Sequence, residues 1–142
     1  MRVVLDANTM ASGAVAPTGG TLATVVESWQ AGLFTVVLSA HLLGELERAF
    51  ADPYFTKRLS PEDIAAYLRM VRPTATITPL TEEVHGVATH PEDDLVVATA
   101  VSSQVDYLVT GDTRLQRLGT FRGVTILSPR AFVELLARSQ TH

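Results

Sequence analysis

Four acidic residues lie at the ends of separate predicted elements, where their side chains could meet. Asp6 ends the opening run MRVVLDAN, and Glu45 lies in the helical pattern SAHLLGELERAF. Asp93 begins the helical run DDLVVATA, and Asp112 follows the apolar run YLVTGD. Carboxylates are costly to bury and repel one another unless a cation lies between them. Because oxygen-only ligands favour hard cations, the four together would make a site for Mg²⁺ or Mn²⁺, and so a hydrolytic site.

Each acid also has a structural interpretation, which is the more common one for a single residue. Asp93 or its neighbour Asp94 could cap a helix, and Asp112 could cap a short helical turn. Glu45 could be a solvated helix residue, and Asp6 could hydrogen-bond a turn. The metal hypothesis therefore depends on whether the fold gathers all of these side chains.

The bulk properties of the chain indicate one domain, residues 1–142, without a membrane segment. A hydrophobic content of 46% and a charged content of 18% are typical of a globular protein. The absence of cysteine excludes disulfides and thiolate metal sites. No segment has the length of a membrane span, and Asp6 interrupts what would be the apolar region of a signal peptide. We therefore expect a cytoplasmic protein that does not contact a membrane.

The charge of the chain bears on the nature of its partners. The net charge of −4 does not favour binding to nucleic acid. The four candidate site acids, however, equal the whole excess of acidic over basic residues. A bound divalent cation would therefore reverse the local sign of the charge.

Apolar runs alternate with helical patterns along the whole chain, which predicts a three-layer α/β/α fold with a central parallel sheet of four or five strands. The predicted strands are 2–5, 34–38, 76–78, 107–109 and 124–127. Helices are predicted to begin at Thr21, Ser39, Ser60, Asp93 and Ser128, and a short one is expected over 82–87. Residues 10–20 are predicted to form a loop and residues 52–59 a connector, while Pro73 is expected to end the third helix.

This topology would bring the four acids to one cleft. Ligands bind beyond the carboxyl ends of the strands in an open parallel sheet. Asp6 and Asp112 follow strands, and Glu45 lies in the helix that follows the second strand. Asp93 begins the helix that leads to the strand before Asp112. If the strand ending at Asp6 is central and lies between the second strand and the strand before Asp112, all four acids meet at one edge of the sheet. The histidines, at positions 41, 85, 90 and 142, are expected at the surface, and His90 is the one candidate for a place near the site.

These motifs resemble those of PIN-domain nucleases and, within that family, VapC-type toxins and their relatives. The resemblance rests on the segments VVLDANTMASGA, VLSAHLLGELERAF, PEDDLVVATAVSSQVDYLVTGDTRL and GVTILSPRAFVELL, which cover almost the whole chain in the expected order. Each motif alone is weakly specific, and the ordered set is fairly specific. The chain departs from many relatives at Thr113 and Arg114, where another acid often follows the TGD element, so the presence of a second metal ion stays open.

The resemblance implies a metal-dependent endoribonuclease whose cognate antitoxin blocks the acidic cleft, and it also implies a homodimer. In this interpretation the catalytic and metal-binding residues are Asp6, Glu45, Asp93 and Asp112. The supporting residues are Asn8, Asp94 and Thr110. The candidate contacts to RNA phosphates are Arg114 and Arg48, with Lys57 and Arg58 as further basic candidates.

Two other classes of function were weighed. A phosphatase or receiver domain with an aspartyl nucleophile would require a second aspartate where Asn8 stands, and a lysine better placed than Lys57. A catalytically silent binding module with the same fold is the other alternative, because fold alone does not establish activity.

Overall fold

The apolar runs of the chain form one central sheet in the computed structural model, which describes residues 1–139. The strands are β1 (Arg2–Leu5), β2 (Thr35–Leu38), β3 (Ala75–Ile77), β4 (Tyr107–Val109), β5 (Thr120–Phe121) and β6 (Val124–Leu127). They lie in the order β3-β2-β1-β4-β6-β5, and all neighbours are parallel except β5 and β6. The predicted parallel sheet with β1 at its centre is confirmed.

The sixth strand was not predicted. β5 pairs antiparallel with β6 through a two-residue turn, Arg122–Gly123, whose φ angles are 46° and 86°. Two consecutive positive φ angles match the twist of a tight hairpin, and glycine adopts them without strain. The hairpin extends the parallel sheet by one short edge strand.

Helices flank the sheet and complete the predicted α/β/α arrangement. They are α1 (Ala7–Val15), α2 (Thr21–Gln30), α3 (Ala40–Ala49), α4 (Pro53–Thr56), α5 (Pro61–Thr74), α6 (Asp94–Ser103), α7 (Thr113–Leu118) and α8 (Pro129–Ser139). Both faces of the central strands are covered, since Val3–Leu5 and 36–38 are fully buried. This burial explains why these strands are continuous apolar runs rather than alternating ones.

Helix α1 extends to Val15, so the loop predicted over residues 10–20 is wrong for 10–15 and holds for 16–20. Asp6 caps the helix by accepting a hydrogen bond from the Thr9 amide at 2.7 Å. Gly13 lies so close to α2 that a Cβ atom there would collide with the Val26 side chain. The small residues that suggested a loop therefore serve close packing of α1 against α2.

Four smaller predictions also need correction. The helix predicted over 82–87 is absent from the described chain, because those backbone amides and carbonyls bond to side chains of other elements. Pro73 lies inside the last turn of α5, which continues to Thr74, and the connector 52–59 contains the short helix α4. The helix predicted from Asp93 begins at Asp94, after a 3-10 turn at Pro91–Asp93.

Candidate active site

The four predicted acids line one open cavity of about 590 Å³ at the carboxyl edge of the sheet. Asp6 follows β1 at the centre of the sheet, and Asp112 lies three residues beyond the end of β4. Glu45 projects from α3, and Asp93 lies at the entrance to α6. The rest of the lining is formed by Ala7, Asn8, Arg48, Ala49, Thr89, His90, Gly111 and Thr113. The fold thus brings together residues that are far apart in sequence.

Asp6 is held by three donors. Its Oδ1 accepts from the Thr9 amide, and its Oδ2 accepts from the Thr110 hydroxyl at 2.7 Å and the Gly111 amide at 3.3 Å. A carboxylate offers about four acceptor positions. Asp6 therefore keeps about one position for a further ligand, and its orientation is fixed by β4 and α1 together.

Asp112 accepts four hydrogen bonds from its neighbours. Its Oδ2 accepts from the Thr89 amide at 2.9 Å, and its Oδ1 accepts from the Thr89 hydroxyl at 2.8 Å and from the amides of Arg114 and Leu115. Burial acts to raise the pKa of Asp112, but the hydrogen bonds from Thr89, Leu115 and Arg114 outweigh it and lower the pKa. Asp112 is therefore a stable carboxylate that caps α7 and ties Thr89 to the cavity wall.

Glu45 is paired with a histidine of its own helix. The Oε1 atom of Glu45 lies 2.9 Å from Nε2 of His41, one turn earlier in α3. The side chains are only 19% and 28% exposed, respectively. The contact orients Glu45 and leaves its second oxygen available to a ligand in the cavity.

Asp93 is the least satisfied of the four acids. Its side chain makes no hydrogen bond within residues 1–139. Burial raises the pKa of Asp93, as does repulsion from Glu45, Asp6 and Glu92, while His90 acts in the opposite direction. The repulsion indicates that Asp93, Glu45 and Asp6 share one electrostatic environment in which negative charge predominates.

The donor set fits a hard divalent cation in its chemistry, because the four acids that line the cavity offer only carboxylate oxygens as ligands. Free acceptor positions are most numerous on Asp93, fewer on Glu45 and fewest on Asp6 and Asp112. In the arrangement of residues 1–139, no group of three or more Asp, Glu or His side chains could hold a metal ion as it stands. Binding would therefore require some of these side chains to rearrange.

Asp94 serves the fold rather than the cavity. It is buried and accepts hydrogen bonds from the amides of Gly86, Val87 and Ala88 at 2.8 to 3.0 Å. Burial acts to raise the pKa of Asp94, and the three amides more than compensate and lower it. Asp94 lies in the first turn of α6, as predicted, and anchors the segment that leads to Thr89.

The two predicted phosphate contacts differ in position. Arg48 is exposed and lines the cavity. The guanidinium group of Arg114 donates to the carbonyls of Gly86 and Ala88 at 2.9 and 3.3 Å, and Arg114 does not line this cavity. The assignment of Arg114 to RNA stays a prediction that these contacts do not favour.

The remaining predicted site residues have defined contacts. Asn8 lines the cavity, and its Oδ1 is 3.5 Å from the Ser12 hydroxyl. Thr110 is buried, donates to Asp6 and accepts from the Asp112 amide at 3.0 Å, so it links two of the acids. His90 lines the cavity, whereas His142 lies outside the described residues.

Two residues at the site escaped the sequence interpretation. His41 stands four residues before Glu45, and this i, i+4 spacing on a predicted helix was a usable signal. Thr89 bonds Asp112 across 23 residues of sequence, and no local pattern indicates such a contact.

No helix within residues 1–139 is both long and apolar enough to cross a bilayer.

Comparison with known proteins identifies the fold. The sequence profile described as "PIN domain" matches residues 2–114. A comparison with curated protein sequences gave no significant match. The chain is also similar to several solved structures, of which three are described next.

VapBC2 from Rickettsia felis, bound to a DNA fragment from its promoter, shares 15% identity at a TM-score of 0.57, covering 90% of this chain and 98% of the other. FitAcB from Neisseria gonorrhoeae shares 18% identity at a TM-score of 0.58 with the same coverage, 90% and 98%. VapC20 from Mycobacterium tuberculosis, a toxin that cleaves the sarcin–ricin loop, shares 15% identity at a TM-score of 0.52, covering 84% and 97%.

The structural likeness establishes the common fold, and the profile covers most of the chain, from the strand before Asp6 to the residues just after Asp112. The chain therefore belongs to the PIN domain family.

Proposed function

We propose that this protein is a Mg²⁺- or Mn²⁺-dependent endoribonuclease and the toxin of a toxin–antitoxin pair. The observation that carries the proposal is the cavity that gathers the four acids, where burial and then repulsion from Glu45 and Asp6 raise the pKa of Asp93. A group of carboxylates without a compensating cation is costly, and its persistence in a cleft suggests a functional role.

Asp93, Glu45 and Asp6 would hold the ion, with Asp112 as a fourth ligand through its Oδ2 atom, which accepts one hydrogen bond, from the Thr89 amide. When bound, the ion would activate a water molecule and offset the negative charge that develops on the phosphodiester. The chain itself supplies orientation, because Thr110 orients Asp6 and His41 orients Glu45. These contacts limit the rearrangement that binding requires, and Asp93, which has no side-chain hydrogen bond within residues 1–139, is the acid most free to move.

RNA is the proposed substrate. The similarity to VapC20, which is described as a toxin that cleaves the sarcin–ricin loop, supports this choice by analogy. Arg48 is the basic side chain that lines the cavity, and it would contact a phosphate next to the scissile bond. The overall negative charge of the protein opposes RNA binding, and the bound cation and Arg48 would both offset it. We propose that the protein acts in the cytoplasm.

The proposed protein partner is a cognate antitoxin that covers the acidic cleft, since VapBC2 and FitAcB are named as two-component complexes. A homodimer is also proposed. The apolar stripe of α2 does not supply its interface, because Val25, Val26 and Trp29 are buried in the core. Light scattering of the purified protein would test the dimer directly.

A catalytically silent PIN-like binding module is the second candidate, and one observation favours it. The acids within residues 1–139 are not arranged to hold a metal ion without movement. A silent module would retain the cleft for a partner and would give no cleavage with any divalent cation.

Cleavage of a fluorescent single-stranded RNA, with Mg²⁺ or Mn²⁺ and then with EDTA, separates the two candidates. Asp6→Asn should remove activity because it takes away a ligand charge while preserving shape. Asp106→Asn is the matched control, because Asp106 is exposed and bonds the Arg2 amide at the opposite edge of the sheet. Cleavage by Asp6→Asn at the wild-type rate would overturn the site assignment.

A further inference from the structure

We propose that Tyr54 and Arg58 form a stacking platform for an unpaired base of single-stranded RNA, next to the active-site cavity. The proposal rests on the proposed ribonuclease function and names a substrate contact outside the acidic site. It concerns the short helix α4 and the residues that follow it.

The Arg58 guanidinium group already lies over the Tyr54 ring in the protein without RNA. The guanidinium carbon of Arg58 lies 3.8 Å from the centre of the Tyr54 ring, and its Nη1 donates to the Tyr54 carbonyl at 2.7 Å. Arg58 is exposed, and Tyr54 remains 49% exposed despite the contact. An aromatic ring and a guanidinium plane are the two surfaces on which proteins most often stack unpaired bases.

The platform is attached rigidly to the core. Phe55 meets the Tyr54 ring at 83° with 5.0 Å between centroids, and it packs in turn on Phe50 at 5.5 Å. Phe50 and Phe55 are 3% and 7% exposed. Asp52 caps α4 by accepting from the Tyr54 amide at 2.8 Å. The exposed tyrosine is therefore held in place, which reduces the entropy lost when a base binds.

The platform lies within reach of a nucleotide bound in the cavity. Arg48 and Ala49 line the cavity, and α4 begins four residues later. Five residues of fully extended chain span at most about 18 Å. The turn bonds from the amides of Ala51 and Asp52 to the carbonyls of Arg48 and Ala49 shorten this path further. A single strand that leaves the cavity therefore reaches Tyr54 within a few nucleotides.

The charge near the platform suits RNA. Arg48, Lys57 and Arg58 are all exposed, and Lys57 is the only lysine of an otherwise acidic protein. Lys57 would bind a phosphate beside the stacked base, and Arg48 one nearer the cavity, because positive charge along the backbone and aromatic stacking act together in single-strand binding.

The test uses full-length protein with Asp6→Asn, in EDTA, and a single-stranded RNA that carries one 2-aminopurine. Binding should quench its fluorescence through stacking. Tyr54→Leu should raise Kd about 5- to 100-fold and abolish the quenching. Tyr54→Phe should leave both unchanged, since the ring is kept. Leu33→Ala is the control for an exposed apolar residue, and Arg69→Ala is the control for an exposed arginine.

A duplex of the same sequence separates stacking from charge. Its bases are not free to stack, so Tyr54→Leu should bind it as tightly as the parent. Unchanged affinity and quenching in Tyr54→Leu, or an equal loss for duplex and single strand, would overturn the platform. Cleavage is measured in protein that keeps Asp6. If Tyr54→Leu in that protein leaves the KM for RNA unchanged, the platform hypothesis fails and the nuclease hypothesis stands. Absence of cleavage by the unmodified protein would instead contradict the nuclease, while the binding test remains informative.

Discussion

Two neighbouring aspartates should respond in opposite directions to the same conservative change. Asp94→Asn removes the charge that accepts three backbone hydrogen bonds, from Gly86, Val87 and Ala88. Asp93→Asn removes a charge that has no hydrogen-bond partner within residues 1–139 and is repelled by Glu45 and Asp6. We therefore expect the first variant to be destabilised and the second to be slightly stabilised without metal.

The magnitude for Asp94→Asn follows from the three amides. An asparagine oxygen in the place of Oδ1 would still accept from Val87 and Ala88, but its amide group would face the Gly86 donor. Hydrogen bonds to a charged acceptor are worth about 1.5 to 3 kcal/mol each, and those to a neutral one about half as much. Loss of one bond and weakening of the other two by about half predict a decrease of about 3 to 6 kcal/mol in the free energy of unfolding. For a chain of this length that is a fall in Tm of about 10 to 20 °C.

The pH dependence gives a second check on the same residue. The pKa of Asp94 is lower in the folded protein than its ordinary value of 3.8, so the carboxylate stabilises the fold above that value. This contribution is lost as the pH falls through the folded pKa. The difference between Asp94→Asn and the parent should therefore be full at neutral pH and should shrink in acid.

Asp93 has the opposite sign. Its pKa is raised in the folded protein, so its penalty is absent below 3.8, grows as the pH rises through the folded pKa and is complete above it. Asp93→Asn removes that penalty near neutral pH. Urea unfolding in EDTA, with an unchanged m-value, measures both variants against the parent. An Asp94→Asn variant as stable as the parent, or a clearly destabilised Asp93→Asn, would refute this account of the two residues.

Three further outcomes are expected. Mg²⁺ or Mn²⁺ at millimolar concentration should raise Tm, and the increase should grow as the pH rises through the folded pKa of Asp93; differential scanning fluorimetry at several pH values would show it, and a flat response would count against a metal site. Thr110→Val should lose about 1 to 3 kcal/mol of stability, because it removes the donor to Asp6 in a buried position, and urea unfolding that shows no change would argue against this link. Tyr67→Phe should cost about 1 kcal/mol, because its hydroxyl donates to the Met10 carbonyl at 2.8 Å, and RNA cleavage should be unaffected; a lost activity would indicate that the contact supports the site.

The fold was predictable from the sequence because its central strands are buried on both faces. Continuous apolar runs such as VVL in β1 and β2, separated by helical patterns, leave few alternatives to a parallel sheet. Capping residues also identified helix starts correctly, as Ser39 and the Ser60 capping box show. These signals are local, so one sequence is enough to detect them.

The errors have a different physical origin, since they involve contacts between distant segments. The small residues of α1 suggested a loop, and only their packing against α2 makes a helix there. The segment 82–87 has helical composition, but Asp94 accepts its amides and Arg114 takes one of its carbonyls. The phosphate contact of Arg114 stays a prediction, and the sequence around Arg114 gives no sign of the two carbonyls that it binds. Hydrogen bonds between a side chain and backbone groups far away in sequence leave no periodic pattern by which the sequence could indicate them.

The candidate site was predictable as a set of acids but not in its internal order. Sequence position alone gives Asp6, Glu45, Asp93 and Asp112 equal standing. Their hydrogen bonds distinguish them, because Asp112 accepts four while the Asp93 side chain accepts none within residues 1–139. The order in which we expect these acids to matter for metal binding therefore comes from their hydrogen bonds and not from the sequence.

The initial rate of RNA cleavage as a function of Mn²⁺ concentration, for the parent and for Asp93→Asn, tests the central claim most directly. The account predicts a saturable dependence on Mn²⁺ in the parent, no cleavage in EDTA, and a rate at least about a hundred-fold lower in Asp93→Asn. Cleavage that persists in EDTA, or equal rates in the two proteins at every Mn²⁺ concentration, would contradict it.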